Sequence, residues 1–338
     1  MTPKRPRWKR LLFSLVRITL AVAVIIAIIG FVIRQPAWNE NPLFPGTVDP
    51  ARLEAHVRFM SVECHPRNFR ERINQQKVID YITARFREAG GRVVVQEFPT
   101  RSGPYQNIVA HFGPEGGPRY VVGAHFDSYG TQPGADDNAS GVAGLIELAV
   151  LLGKEKSLPA HFELVAYNLE EPPFFGGPEM GSAVHARSLQ DGKVKMELML
   201  SLEMIGYFSD KRGSQEYPSR LLGLVYPSRA DFIAIVGRWD QRDLVGAFKR
   251  ACVGAADIPV VSIAAPSIVP AIDFSDHRNY WERGMPALMI TDTSFLRNKN
   301  YHHPTDTADT LDYRRMAEVV RLVNSGLLTY AADRKSAP

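Results

Sequence analysis

The sequence predicts an α/β fold, a three-layer sandwich around a central mixed, largely parallel β-sheet, preceded by one transmembrane helix. Three observations predict this architecture. Short apolar runs rich in β-branched residues alternate along the chain with segments whose apolar residues recur every three or four positions. With 338 residues and 45% hydrophobic content, the chain can bury the core of one enzyme-sized domain. A single long apolar stretch lies close to the N-terminus.

This apolar stretch runs from Leu11 to Ile33 and is interrupted only by Ser14, Arg17 and Thr19. A helix of these 23 residues would be roughly 34 Å long, enough to cross a bilayer core of roughly 30 Å. We therefore expect a lipid bilayer as a partner, contacted through residues 11–33. A cleaved signal peptide is the competing interpretation, but the stretch is long for one and no A-x-A site follows it.

Positive charge is concentrated before this stretch. The formal net charge is +4, yet residues 1–37 hold seven basic residues and no acidic one, which leaves 33 basic against 36 acidic residues in the remainder. A nucleic-acid partner is therefore not expected. By the positive-inside rule, the N-terminus lies in the cytoplasm and the main domain is periplasmic or extracellular. In such a compartment a single disulfide between Cys64 and Cys252 is possible.

The expected division is a basic tip and anchor over residues 1–37, a linker over 38–50 and a main domain over 51–335. The first predicted element of that domain is a helix in which Val78, Ile82 and Phe86 repeat at four-residue spacing. Later helices are predicted after residue 140 and over 313–330. Six apolar runs predict strands, over residues 93–98, 120–124, 162–167, 196–202, 232–236 and 287–291.

Imidazole and carboxylate side chains follow the predicted strands at the points where they end. His125 comes directly after one strand, and Asp127 lies two residues on, where it could orient the imidazole. Asp136 and Asp137 follow in a glycine-flanked loop that leads into a helical pattern. A helix cap with a solvated turn is the competing interpretation of this loop.

Further carboxylates follow the same rule. Glu170 and Glu171 end the next strand, and adjacent carboxylates repel one another unless a cation or proton intervenes. Glu203 lies in an otherwise apolar segment, where an unpaired charge is costly and a salt bridge is the alternative. His302 and Asp306 follow the last predicted strand. Because strand carboxyl ends meet at one edge of an open α/β sheet, we expect these groups to converge.

In order and spacing, these segments resemble the signatures of the family 28 metallopeptidases, the two-zinc aminopeptidases and their relatives. The resemblance covers most of residues 60–330 and implies the zinc-dependent exopeptidase fold, a zinc peptidase domain, two zinc ions and peptide substrates. Amino-terminal specificity is the default within that family. The segments that carry the resemblance are HFDS, GADDNASGVAGLIELA, NLEE, MGSAVHA, SLEMIGY, SDHRNYWERGMPA and YHHPTDT.

The resemblance also implies roles for individual residues. Asp137 would bridge both ions and precede a non-proline cis peptide bond. Glu170 would be the general base, which takes a proton from a zinc-activated water and passes it to the leaving amine. Asp127 and, by analogy, Asp306 would orient the ligands. The implied metal ligands are His125, Asp137, Glu171, Glu203 and His302, with His125 and Glu203 at one ion and Glu171 and His302 at the other.

Some alternatives stay open at this point. Many family members carry aspartate where this chain has Glu203, so this ligand reaches one methylene further. The run from Pro172 to Phe175 could line a side-chain pocket or pack on the core. A single-zinc glutaminyl cyclase, a carboxypeptidase of the same family and an inactive receptor-like domain are the other functions considered. A serine hydrolase is disfavoured because no G-x-S-x-G sequence occurs, and we interpret Asp276 and His277 as a structural pair near the site.

Overall fold

The computed structural model describes residues 7–38 and 41–336, and its centre is one eight-stranded sheet with the strand order β1-β2-β4-β3-β5-β8-β6-β7. Strands β4, β3, β5 and β8 are parallel neighbours, whereas β1 and β2 form an antiparallel hairpin at one edge. The predicted mixed, largely parallel sheet is confirmed. The strands are β1 Arg92–Thr100, β2 Gly103–Phe112, β3 Arg119–His125, β4 His161–Tyr167, β5 Met196–Glu203, β6 Ile233–Arg238, β7 Val260–Ala265 and β8 Ala287–Thr291.

Helices cover both faces of this sheet, which gives the predicted three layers. Residues from α2, α3, α4, α6 and α8 pack in the larger apolar cluster on one face, and residues from α5 and α7 pack in the smaller cluster on the other. The helices are α1 Arg7–Arg34, α2 Pro50–Arg58, α3 Arg72–Glu88, α4 Gly141–Lys154, α5 Gly181–Asp191, α6 Arg242–Cys252, α7 His277–Trp281 and α8 Tyr313–Ser336.

The strand register brings two polar side chains to the same level of the sheet. Gly123 of β3 pairs with Ser201 of β5, so His125 and Glu203 end adjacent parallel strands side by side. On the other side of β3, His125 pairs with Tyr167, the last residue of β4. The carboxyl ends of these strands therefore form one edge to which the following loops must return.

Helix α1 projects from the domain. Its segment Leu11–Arg34 is long and apolar enough to cross a membrane, and within that segment only Gly30 is buried. The predicted basic tip lies partly outside the described residues, since residues 1–6 are not described, and neither are residues 39 and 40 of the predicted linker. The described part of that linker lies against the domain, where the backbone N–H groups of Asn41 and Phe44 donate to the carbonyl oxygens of Val253 and Ala255.

The possible disulfide is not formed, because Cys64 and Cys252 are both free and buried. Cys64 follows the helical turn after α2, while Cys252 ends α6 and packs against Gly326 of α8. Each thiol is thus held by its own local packing, and burial raises the pKa of both thiols. The two cysteines behave as small apolar core residues.

Candidate metal centre

The candidate site lies at the carboxyl edge of the parallel strands. His125 and Glu203 are the last residues of β3 and β5, Glu170 and Glu171 follow β4, and His302 lies in the loop after β8. The four strand-end side chains are almost fully buried, whereas the side chain of His302 is 23% exposed. The strand-end convergence predicted from the sequence is thereby observed.

Asp137 reaches this edge from the loop before α4 and lies between the two histidines. Its Oδ1 is 3.4 Å from Nε2 of His125, and its Oδ2 is 3.1 Å from Nε2 of His302. On the first side, Nε2 of His125 also lies 3.6 Å from Oε2 of Glu203. On the second side, Nε2 of His302 lies 3.5 Å from Oε2 of Glu171. The peptide bond after Asp137 is cis, as the resemblance implied.

The chemistry of this donor set fits metal ions. Nε2 of His125, Nε2 of His302 and Oε1 of Glu171 are buried and have no hydrogen-bond partner among the described residues. Buried polar atoms normally have a hydrogen-bond partner, so three buried atoms without one at the same place indicate a site for a bound ion. Imidazole nitrogen with carboxylate oxygen is a donor set that zinc accepts. The residues present therefore fit two metal positions that share Asp137.

The electrostatics lead to the same conclusion. Burial and the charge of Asp137 raise the pKa of the Glu171 carboxyl to about 8. Burial, together with the neighbouring carboxylates, also raises the pKa of Glu170 well above its usual range. Burial alone would lower the pKa of His302, but the nearby carboxylates of Asp137 and Glu171 outweigh that effect and raise its pKa to about 9. The site holds an excess of negative charge that bound cations would neutralise.

The two aspartates expected to orient the ligands act largely through the backbone. The carboxylate of Asp127 accepts hydrogen bonds from the N–H groups of Glu170 and Glu171, both at 3.1 Å. Nδ1 of His125 lies 3.2 Å from the carbonyl oxygen of Asp127 and 3.5 Å from its Oδ1. Asp127 therefore positions residues of both strand ends at once. Asp306 similarly accepts from the N–H groups of Asp136 and Asp137, at 2.9 and 3.2 Å.

Several supporting residues were not predicted from the sequence. The ring of His302 is stacked between Tyr129 and Tyr301, with centroid distances of 3.9 and 3.8 Å. The hydroxyl of Ser275 donates to Oε2 of Glu203 at 2.7 Å. These contacts come from loops that are distant in sequence. The tyrosine directly before His302 was the one local signal that could have suggested such a stack.

Among the supporting residues that the sequence did not predict, Arg67 makes the most hydrogen bonds. This fully buried side chain donates to the carbonyl oxygens of Phe126 at 2.7 Å and Gly134 at 2.5 Å, and also to Pro133. These hydrogen bonds hold the loop between His125 and Asp137 in place. Burial lowers the pKa of the guanidinium, and the charges of nearby carboxylates oppose that shift.

We expect Arg67→Met to destabilise the protein more than any surface substitution would. Removing the guanidinium leaves three buried carbonyl oxygens without their donor, which predicts a loss of at least about 3 kcal/mol in the free energy of unfolding. Chemical denaturation of the full chain in detergent measures this loss. Arg70→Met, an exposed neighbour, serves as the control; an equal stability of the two variants would contradict the role of Arg67.

A cavity of about 360 Å³ opens beside the site and is bounded by Glu170, Glu171, Glu203 and His302 at one end. The prediction that the run from Pro172 to Phe175 lines a pocket holds only in part. Pro172 and Phe175 line this cavity, but the side chain of Phe174 is buried in a separate apolar cluster with Phe98 and Tyr105. Phe174 is thus a core residue, because its loop folds its ring onto the β1–β2 hairpin.

Comparison with known proteins assigns the chain to a family. The model of peptidase family M28 matches residues 107–326, a span that includes all five candidate ligands and Glu170. The chain belongs to peptidase family M28. It is therefore a peptidase by family, and its α/β architecture is that of the M28 aminopeptidases.

Two curated relatives illustrate the range of similarity. The chain is 46% identical over 309 residues to the Escherichia coli K12 protein described as "Uncharacterized protein YfbL", covering 89% of this chain and 93% of that protein. It is 25% identical over 309 residues to "Leucine aminopeptidase 1" of Pyrenophora teres f. teres, covering 85% of this chain and 72% of the relative.

Solved structures with the M28 fold include enzymes of two kinds. The LapA aminopeptidase of Legionella pneumophila superposes with a TM-score of 0.66 at 19% identity, over 86% of this chain and 73% of that one. The Bacillus subtilis zinc aminopeptidase superposes with a TM-score of 0.64 at 14% identity, over 82% and 94%. The Fimbriiglobus ruber glutaminyl cyclase superposes with a TM-score of 0.61 at 21% identity, over 87% and 99%. At these identities the likeness concerns the fold.

Proposed function

We propose that this M28 peptidase is a membrane-anchored, two-zinc aminopeptidase that hydrolyses N-terminal residues from peptides. The observation that carries the proposal is the position of Asp137, whose two carboxylate oxygens face two different histidines, the buried His125 and the partly exposed His302. One ion would be held by His125, Asp137 and Glu203. The other would be held by Asp137, Glu171 and His302. Bound zinc would lower the pKa of a water molecule and polarise the scissile carbonyl group.

Glu170 is the proposed general base. Its Oε2 lies 3.8 Å from Nε2 of His125, so Glu170 borders the proposed metal position, and the family resemblance assigns it proton transfer. It would accept the proton that water loses on attack and donate it to the amine nitrogen as the peptide C–N bond breaks. Its buried position favours this role, because burial raises its proton affinity.

The lining of the cavity supports a preference for an apolar side chain in the substrate. Beyond the carboxylates its walls come from β6, β7 and β8 and from neighbouring loops, and they include Phe232, Val261, Ile263 and Met289. A pocket of this size and lining suits one large aliphatic or aromatic side chain. The name of the leucine aminopeptidase relative supports the same preference.

Helix α1 supports the anchor. It is apolar over Leu11–Arg34 and leaves nearly all of that length exposed, which in water would be unfavourable. Because basic residues precede it, the positive-inside rule favours an N-terminus in the cytoplasm and a peptidase domain in the periplasm or outside the cell. The substrates would then be peptides on that side of the membrane.

Glutaminyl cyclase activity is the second candidate, favoured by the structural likeness to the Fimbriiglobus ruber enzyme. A single-zinc enzyme would need one group of ligands, whereas here a second histidine and a second glutamate accompany Asp137. The two-metal peptidase is therefore the better account of the residues.

A pool of synthetic peptides tests the proposal. The full chain, purified in detergent with zinc, is incubated with matched peptides whose amino or carboxyl end is free or blocked, and products are read by mass spectrometry. We expect stepwise loss of residues from free amino termini, fastest for N-terminal leucine or phenylalanine and abolished by a chelator. Shortening from the carboxyl end would make the protein a carboxypeptidase, and cyclised N-terminal glutamine without cleavage would make it a cyclase.

A further inference from the structure

Among the described residues, the anchor helix α1 is buried against the peptidase domain in its last turns, where it contacts strand β7 and the segment that ends at Tyr226. Gly30 is buried because a Cβ at this position would lie 2.8 Å from Cγ1 of Val225. Three residues later, the carbonyl oxygen of Ile33 lies 3.5 Å from the hydroxyl of Tyr226, which donates its hydrogen bond to the carbonyl oxygen of Ser262 at 2.6 Å. The segment that ends at Tyr226 is thus fixed against the helix at the level of Gly30.

That level coincides with the boundary of the bilayer core. From Leu11, a helix reaches Phe31 after about 30 Å, which is the thickness of the hydrocarbon region. Trp38 turns back so that its ring lies 5.9 Å from the ring of Phe31, and it is 75% exposed. Tryptophan prefers the membrane–water interface. Gly30, Phe31 and Trp38 therefore mark the depth at which lipid tails give way to headgroups.

The segment Leu221–Val225, which we call the leucine loop, has the composition of a lipid-contacting surface. Leu221 and Leu224 are 70% and 67% exposed, although nothing in a soluble enzyme would require two such leucines in water. The surrounding stretch, residues 217–229, contains two arginines and no acidic residue. Exposed leucines flanked by arginine suit the boundary between acyl chains and anionic headgroups.

The leucine loop also forms part of the active-site cavity. Leu222 and Tyr226 line the cavity, and so does Ser262, whose hydroxyl donates to the carbonyl oxygen of Arg34 at 2.7 Å. The cavity thus extends from the candidate metal centre to residues that touch the end of the anchor helix. Leu222 and Tyr226 of this short segment face the cavity, whereas Leu221 and Leu224 face the exterior.

We propose that the leucine loop is a second membrane contact, which inserts Leu221 and Leu224 into the outer boundary of the bilayer and seats one wall of the active-site cavity on the lipid surface. The occupant of this face is the bilayer itself, because the loop is held at the depth where the anchor leaves the hydrocarbon core. This second part of the proposal rests on the proposed aminopeptidase function: the favoured substrates are peptides that are themselves held at the membrane surface.

Depth-dependent quenching tests the contact without reference to activity. A nitrobenzoxadiazole label is placed on the full chain through Ile18→Cys, Leu224→Cys or Ile73→Cys, and two sets of vesicles contain lipids with a nitroxide either near the headgroup, to report on position 224, or deep in the acyl chain, to report on position 18. Ile73 is the matched control, since it is 77% exposed and lies on α3, which packs on β1 and β2 at the opposite edge of the sheet from β7. The native cysteines are buried.

We expect the labels at positions 18 and 224 to be quenched and the label at position 73 to be unaffected. Quenching at 18 with none at 224 would overturn the leucine-loop contact and leave the anchor intact. Absence of quenching at both positions would overturn the anchor and this proposal together. Neither result bears on whether the purified protein cleaves peptides, which the peptide pool decides.

The consequence for substrates is tested with a double substitution. Leu221→Asp with Leu224→Asp is compared with Ile73→Asp on one peptide that carries a C-terminal acyl chain and on the same peptide without it, using enzyme in vesicles. We expect the double variant to lose about 10-fold in kcat/KM on the acylated peptide only. Equal loss on both peptides, or loss on neither, would contradict the seating of the cavity on the membrane.

Discussion

Glu170→Gln is expected to lower kcat by about 100- to 10,000-fold while the protein keeps its full metal content. The amide has nearly the same shape as the carboxyl group but cannot accept and return a proton. The proposed metal ligands do not include Glu170. Metal binding should therefore survive the change. Turnover of an N-terminal leucine peptide and metal analysis of the same sample measure both effects.

Glu115→Gln provides the control, since this glutamate is exposed and precedes the amino end of β3, opposite the carboxyl edge that carries the candidate ligands. It should leave both turnover and metal content unchanged. If Glu170→Gln instead lost one metal ion, Glu170 would be a ligand, as its grouping with His125 and Glu203 also permits geometrically. Substantial turnover in the variant would remove Glu170 from proton transfer altogether.

Asp137→Asn is expected to abolish binding at both metal positions. Its two oxygens face His125 and His302, so replacing one oxygen by an amide nitrogen removes a ligand from one position and points a hydrogen-bond donor towards it. The other position loses the negative charge that the ligand supplied. Because bound metal lowers the reaction barrier by several kcal/mol, activity should fall by at least about 1,000-fold.

Glu203→Gln is the informative comparison, because Glu203 lies beside His125 and belongs to one proposed metal position. It should lose one ion and retain the other, whereas Asp137→Asn should retain neither. Inductively coupled plasma mass spectrometry of dialysed protein gives both counts, and circular dichroism checks that the fold persists. Equal metal content in the two variants would rule out Asp137 as the shared ligand.

Much of the sheet could be predicted because buried parallel strands consist of continuous apolar runs in the sequence. Strand β2 was missed because Gln106 and Asn107 interrupt its apolar pattern. Asn107 is nevertheless buried, since its side chain donates to the carbonyl oxygen of Gly181. Strand β7 was missed because it is a short edge strand between Pro259 and Pro266, where no long run can develop. Such exceptions are decided by tertiary contacts that no local pattern encodes.

The site was predictable to the extent that its side chains sit at strand ends. His125 and Glu203 belong to strands that the sequence revealed, and parallel topology then brings them together. Arg67 could not be predicted, because its partners are carbonyl oxygens about sixty residues away, which carry no sequence signal. The stack of Tyr129 on His302 likewise depends on two loops meeting in three dimensions.

The most direct test of the central claim is a zinc titration of the metal-depleted full chain, with release of N-terminal leucine followed at each addition. Because the two oxygens of Asp137 face two different histidines, we expect peptide cleavage to rise until two equivalents of zinc are bound and then to stay constant. Full activity at one equivalent, with cyclised N-terminal glutamine as the product of a parallel assay, would contradict the two-zinc aminopeptidase and favour the cyclase.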